Sequence, residues 1–250
     1  MPTVKVKDIN MYYEIHGEGE PLVLIQGLGF EISSITQGKG KSDYLDKYAQ
    51  KYRVIVFDTR GSGRTDKPDI PYSIEMMAED TIGLLDLLGI KQAHFIASSM
   101  GSCTALALAA KYPERVKSLV LHVAFHRVPF PRNVIWGLMW RIPGGKKQMM
   151  KGADFLFKQQ YPPTPESFAR QGLAPLNFDG RKLLGQIKAP TLIVNGTKDQ
   201  AVSMRITREL AQGIPGAKLV LIEGDHLFIS QDLNLLLKPA LEFLAEVDAS

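Results

Sequence analysis

Apolar positions along the chain follow two rhythms. Leu22 to Ile25, Arg53 to Phe57, Ala93 to Ala97, Val116 to Ala124, Pro190 to Asn195 and Lys218 to Ile222 are short, nearly unbroken apolar runs, as expected of strands covered on both faces. Between them the period lengthens. Ile74, Met77, Ala78, Thr81, Leu84, Leu85 and Leu88 form one helical stripe that Gly89 closes, and Met100 to Ala110 is apolar all round, which suits a helix buried on every side. Asp43 to Lys51, Ser203 to Gln212 and Gln231 to Val247 also read as helices, the last with a kink or restart at Pro239. At the start, Val4, Val6 and Ile9 and then Met11 to Ile15 predict two strands of an edge hairpin turning at Asp8-Ile9-Asn10. Strands alternating with helices predict an α/β fold with a mostly parallel, doubly covered sheet.

One segment breaks the rhythm. From His126 to about Lys188 the chain offers amphipathic pieces interrupted by Pro129, Pro131, Pro143, Pro162, Pro163, Pro165 and Pro175, with no strand pattern. A short helical cap over residues 126–187, inserted before the last two strands of a core made of residues 1–125 and 188–250, accounts for this. Its aromatic and methionine residues suit packing, and those over a site would also meet substrate. Residues 31 to 52 carry the weakest pattern. Gly38-Lys-Gly-Lys-Ser42 ends like a phosphate loop, but Ile35 stands where the first glycine is required and no strand leads directly into it, so a nucleotide site is not expected.

The candidate chemistry lies at strand ends. Ala97-Ser-Ser-Met-Gly101 joins a buried strand to a buried helix within a few residues, so the turning residue Ser99 must adopt a strained backbone and its flanks at 97 and 101 must be small. A serine there also suits an N-cap. A nucleophilic reading needs a base, an orienting acid and an oxyanion site, since serine is a poor nucleophile near neutral pH. His226 and Asp199 each follow a predicted strand, as does the glycine-bracketed loop Gln26-Gly-Leu-Gly-Phe30. Ligands of such sheets bind outside the carboxyl ends of strands. His226 is therefore the candidate base, Asp199 the orienting acid, and the backbone N–H groups of Leu28 and Met100 the oxyanion donors. Asp225 adjoins His226 and would point away from it, Asp58 reads as a turn scaffold, and His94 and His122 lie within strands. Phe30, His126, Trp136, Met139 and Trp140 are candidate substrate contacts, and Arg127, Arg132 and Arg141 are possible anchors for a carboxylate.

Composition narrows the alternatives. The 250 residues are 45% hydrophobic and 22% charged, an ordinary globular balance. A formal charge of +4 spread among carboxylates does not suggest nucleic-acid binding. Cys103 is the single cysteine, which excludes an intrachain disulfide, and no paired ligand set suggests a metal or other cofactor. Without an apolar leader or a run near the roughly 18 apolar residues of a membrane span, a cytoplasmic location is expected.

With these pieces in view, the chain resembles an α/β-hydrolase-fold serine hydrolase over residues from about 10 to 125 and 185 to 246. The resemblance rests on Gln26-Gly-Leu-Gly, Asp58-Thr-Arg-Gly-Ser-Gly, Ser98-Ser-Met-Gly, Gly196-Thr-Lys-Asp and Gly224-Asp-His, in the order Ser…Asp…His that this fold uses. Gln26 stands where relatives usually have His, Ala97 where they have Gly, and Ser102 where Gly is frequent. The small esterase and enol-lactonase-like members are the nearest in kind, implying a small or medium ester or lactone as substrate. Three other readings stay open: a carbon–carbon bond hydrolase of ring-cleavage products, a cofactor-free perhydrolase or haloperoxidase, and a weakly catalytic ligand receptor.

Overall fold

The computed structural model describes residues 3–36, 41–226 and 234–250. Its strands are β1 (Thr3–Val6), β2 (Ile9–His16), β3 (Glu20–Ile25), β4 (Tyr52–Phe57), β5 (Ala93–Ser98), β6 (Val116–His122), β7 (Thr191–Gly196) and β8 (Lys218–Ile222). They form one sheet in the order β1-β2-β4-β3-β5-β6-β7-β8. Only β2 runs against its neighbours; from β4 to β8 every pairing is parallel. The apolar runs are continuous because both faces are covered. Along β4, Ile55 and Phe57 point into one core while Val54 and Val56 point into the other.

The helices are α1 (Ser33–Thr36), α2 (Lys41–Ala49), α3 (Ile74–Leu87), α4 (Met100–Lys111), α5 (Arg132–Arg141), α6 (Pro143–Gly152), α7 (Pro165–Leu173), α8 (Arg181–Leu184), α9 (Met204–Gly213) and α10 (Asn234–Asp248). Residues of α3, α4, α8 and α9 pack in the first core, and those of α2 and α10 in the second. Pro239 lies inside α10 without ending it, so no restart occurs among the described residues; the expected start at Gln231 lies outside them, as do residues 37–40 of the Gly38–Ser42 stretch. The hairpin turn also differs from expectation. Val6 pairs with Ile9, which leaves Lys7 and Asp8 as the turn and frees Ile9 to be fully buried. An apolar residue is better placed in the core than at a turn apex.

Two buried polar clusters tie these layers together. The Arg60 guanidinium is almost wholly buried and makes paired bonds to Asp80 of α3 and to Asp8 of the first turn. At the other end of the sheet, Asp248 of α10 accepts bonds from Tyr52 Oη (2.9 Å) and Lys117 Nζ (2.7 Å) and lies 3.1 Å from His94 Nε2.

Between β6 and β7 the described chain forms helices α5 to α8 and no named strand. Trp140, Leu156, Phe168 and Ala169 make a small core of their own, and Leu28 and Phe30 from the loop after β3 pack against it. Residues 126–187 hold ten basic and three acidic side chains, a surplus of +7 on a chain whose total is +4.

Candidate active site

Chain order reverses at β3, which has β4 on one side and β5 on the other. The loops leaving β3 and β5 therefore diverge at a switch point, where α/β sheets open a crevice beyond their carboxyl ends. Ser99 stands there between β5 and α4 with φ 52° and ψ −119°, a conformation that L-residues rarely adopt. Three hydrogen bonds hold it. Its N–H donates to His122 O of β6 (3.0 Å), and its own carbonyl accepts from Ser102 N (2.9 Å) and Ser102 Oγ (2.6 Å). Gly101 is needed because α4 starts against the end of β3: a Cβ at 101 would sit 2.5 Å from Ile25 O and 2.6 Å from Gln26 O.

Ser99 Oγ is 3.0 Å from His226 Nε2, and His226 Nδ1 is 2.7 Å from Asp199 Oδ2. The Asp199 side chain is fully buried, and its other oxygen accepts the N–H groups of Ala201 and Val202 at 2.8 Å each. Three donors thus satisfy this buried carboxylate. With Nδ1–H pointed at Asp199, His226 presents Nε2 as the acceptor for the Ser99 hydroxyl. The two strand ends are drawn together locally. Thr197 N donates to Ile222 O and Lys198 N to Gly224 O at 2.9 Å each, and a Cβ at Gly196 would sit 2.4 Å from Gly224 O.

The sequence profile of the family described as the alpha/beta hydrolase fold matches residues 20–166. The chain belongs to this family. In this α/β hydrolase the sequence is 29% identical to the proposed carbamate hydrolase RutD of Azorhizobium caulinodans, over 99% of this chain and 100% of that one. It is 32% identical to a 2-hydroxymuconate semialdehyde hydrolase of Pseudomonas putida, over 93% and 90%. The enol-lactonase of Burkholderia xenovorans LB400 superposes with a TM-score of 0.85 at 28% identity, covering 98% of this chain and 100% of that one. These relatives share a reaction class, hydrolysis, and differ in the bond named.

A cavity of about 180 Å³ opens over Ser99 and His226. Leu28 and Met100 line it, and neither N–H has a hydrogen-bond acceptor among the described residues. Trp136 and Trp140, one helical turn apart on α5, form its wall with Phe125, Met149, Pro175 and Ile206, and Arg127 and Arg132 are its basic members. The other expected contacts lie elsewhere. Met139 is rotated by about 100° from Trp140 on the same helix and does not line the cavity. Phe30 instead faces Phe155, with ring centroids 5.9 Å apart. His126 is wholly buried, its Nε2 3.6 Å from Glu209 Oε2, and burial pushes its pKa down to about 4. Arg141 also stays outside, donating to Gly137 O.

Two of the remaining sequence candidates, Asp58 and His94, have structural partners. Asp58, buried, accepts the N–H groups of Ile32 (2.7 Å) and Arg64 (2.8 Å) and so shapes the turn after β4; burial raises its pKa. His94 is 2.7 Å from Ser118 Oγ through Nδ1. Ser102 braces the Ser99 carbonyl. Sequence reasoning missed Gln159 and Gln171, whose side chains reach the loop after β3 from the inserted segment. Glutamine carries no periodic signal, and both bonds span more than a hundred residues.

Proposed function

We propose that this protein is a serine hydrolase that cleaves a small or medium carboxylic ester or lactone through an acyl-enzyme on Ser99, with residues 126–187 as the cap that shapes its pocket. The observation that carries this reading is the unbroken line from Ser99 Oγ through His226 to buried Asp199, at 3.0 and 2.7 Å, facing a confined cavity. The Ser99 oxygen attacks the acyl carbon while its proton passes to His226 Nε2, and Asp199 stabilises the resulting imidazolium. The oxygen of the tetrahedral intermediate meets the N–H groups of Leu28 and Met100; one such donor is worth roughly 3 to 4 kcal/mol in a protease precedent. His226 returns the proton to the leaving oxygen as the C–O bond breaks. A water that gives its proton to His226 then attacks the acyl-serine, and the acid leaves as Ser99 regains its hydrogen.

The modest volume and apolar wall favour short acyl groups. Hydrolysis of p-nitrophenyl esters from acetyl to decanoyl, wild type beside Ser99→Ala, tests the reading together with a fluorophosphonate label located by mass spectrometry. Expected are turnover, a label on Ser99 and loss of both in the variant. Turnover unchanged in Ser99→Ala overturns the assignment.

A second reading, carbon–carbon bond hydrolysis of a ring-cleavage product, draws support from Arg132. Arg132 lines the cavity and has no carboxylate partner among the described residues, so it can meet an acidic substrate group. Product analysis separates the two: cleavage of a C–O bond gives an acid with an alcohol, or one hydroxy acid from a lactone, whereas C–C cleavage gives an acid and a second fragment that has gained a C–H bond.

A further inference from the structure

The loop after β3 is held from the cap as much as from the sheet. Gly29, at φ +73°, lies so close to the cap that a Cβ there would sit 2.8 Å from the Phe168 ring and 3.0 Å from Leu156 Cδ1. Its N–H donates to Gln171 Oε1 (3.0 Å), and its carbonyl accepts from Gln159 Nε2 (2.8 Å). Gln159 Oε1 also accepts the N–H of Glu31 (3.3 Å), so this one amide grips both sides of Phe30. Gln171 is wholly buried, and its Nε2 donates to Arg60 O (2.6 Å) and Ser62 Oγ (2.8 Å) in the turn after β4. Gly61 yields the necessary room, since a Cβ there would press on Gln171 Cγ and Nε2 at 3.3 Å. Only a carboxamide satisfies this site. A backbone N–H demands an acceptor on one side and a backbone carbonyl demands a donor on the other, which neither a carboxylate nor a thioether supplies together.

Between these anchors stands Leu28, the residue assigned above as an oxyanion donor. The Gly27 carbonyl on its N-terminal side accepts Phe30 N (3.3 Å), closing the turn, and Gly27 is packed so near Ser99 that a Cβ would lie 3.3 Å from Ser99 Cβ. We propose that Gln171 and Gln159 are positioning residues that set the place of the Leu28 N–H relative to Ser99, so that the docked cap assembles half of the oxyanion site. This rests on the serine-hydrolase reading. It also makes α7 a fixed strut rather than a moving lid, because lifting α7 would release Gly29 and strand the Arg60 carbonyl and the Gly29 N–H without their partner.

The test uses Gln171→Met and Gln159→Met in the full chain. Phosphonylation of Ser99 by a fluorophosphonate reads the oxyanion site without a known substrate, because the phosphoryl oxygen must occupy it. Each variant is expected to label roughly 10- to 100-fold more slowly, the scale reached when a catalytic group is misplaced by about an ångström. On the best p-nitrophenyl ester, kcat is expected to fall by a similar factor with KM within about twofold, and amide hydrogen exchange at residues 27–31 to quicken. A merely structural role would lower the melting temperature and leave the labelling rate of the folded fraction untouched, and that result overturns the proposal. Should Gln171→Met not fold, Gln159→Met, which removes the bonds to Gly29 and Glu31 and one to Leu156 O within its own turn, decides alone by the same criteria. A wild type that neither labels nor turns over any ester overturns the nucleophile assignment and the clamp with it; a labelled wild type with unaffected variants overturns the clamp only.

Discussion

In the proposed mechanism Ser99, His226 and Asp199 work through hydrogen bonds whose direction is set by chemistry. Asp199 cannot donate, so the proton between it and His226 belongs to Nδ1, and the imidazole then faces Ser99 with a lone pair. Asp199→Asn can turn its amide N–H toward the imidazole and favour the wrong tautomer. Its kcat is expected to drop by orders of magnitude, roughly 10⁴-fold in the serine-protease precedent, with the fold intact by circular dichroism. A rate equal to wild type would mean that another carboxylate orients His226. These three residues were legible in the sequence because the backbone around them is constrained: small residues bracket Ser99, and strand ends deliver the other two. The pocket contacts were harder to read. Trp136 and Trp140 reach the cavity, whereas Met139, Phe30 and His126 do not, because an aromatic or methionine in a two-sided helical insertion gives no sign of which side it faces.

At the scale of elements, the junctions carry the precision. Helix α4 begins where β3 ends, and at Gly101 the two backbones nearly touch. Gly101→Ala would force a methyl group within 2.5 Å of a carbonyl oxygen, so α4 must shift and carry the elbow with it. A loss of about 1 to 3 kcal/mol in urea unfolding is expected, the usual range for overpacking, with a fall in the rate of Ser99 labelling that exceeds what the unfolded fraction explains. Wild-type behaviour in both assays would show that the junction has slack. The buried strands were readable from their unbroken apolar runs, since both faces of the sheet are covered. The edge hairpin was misregistered by the polar residues flanking Ile9, and only its burial reveals why the turn falls on Lys7 and Asp8.

The whole molecule encloses two imidazoles that its chemistry does not require. Burial pushes His122 down to about 3 and His126 to about 4, against a value near 6.5 in an unfolded chain. Both are lowered, so their penalty is absent above pH 6.5 and grows as the pH falls, because the unfolded chain takes up protons that the fold excludes. Each contributes up to about 1.4 kcal/mol of lost stability per pH unit in that range. Urea unfolding at pH 7, 6 and 5 is expected to show this slope, and His122→Leu to reduce it; an unchanged slope would mean that His122 is not held neutral by burial. Neither residue was legible as a stability determinant, since position along the chain does not reveal whether a side chain finds a partner.

The uneven charge of the molecule has a consequence of its own. A surplus of +7 in residues 126–187, which supply much of the cavity wall, leaves the remainder of the chain at −3, so the protein is an electric dipole with its positive side on that segment. In the field of an approaching anion such a body turns before it collides, and encounters are enriched in those that present the open end. Selection among solutes thus begins in the solvent, before any pocket wall is touched.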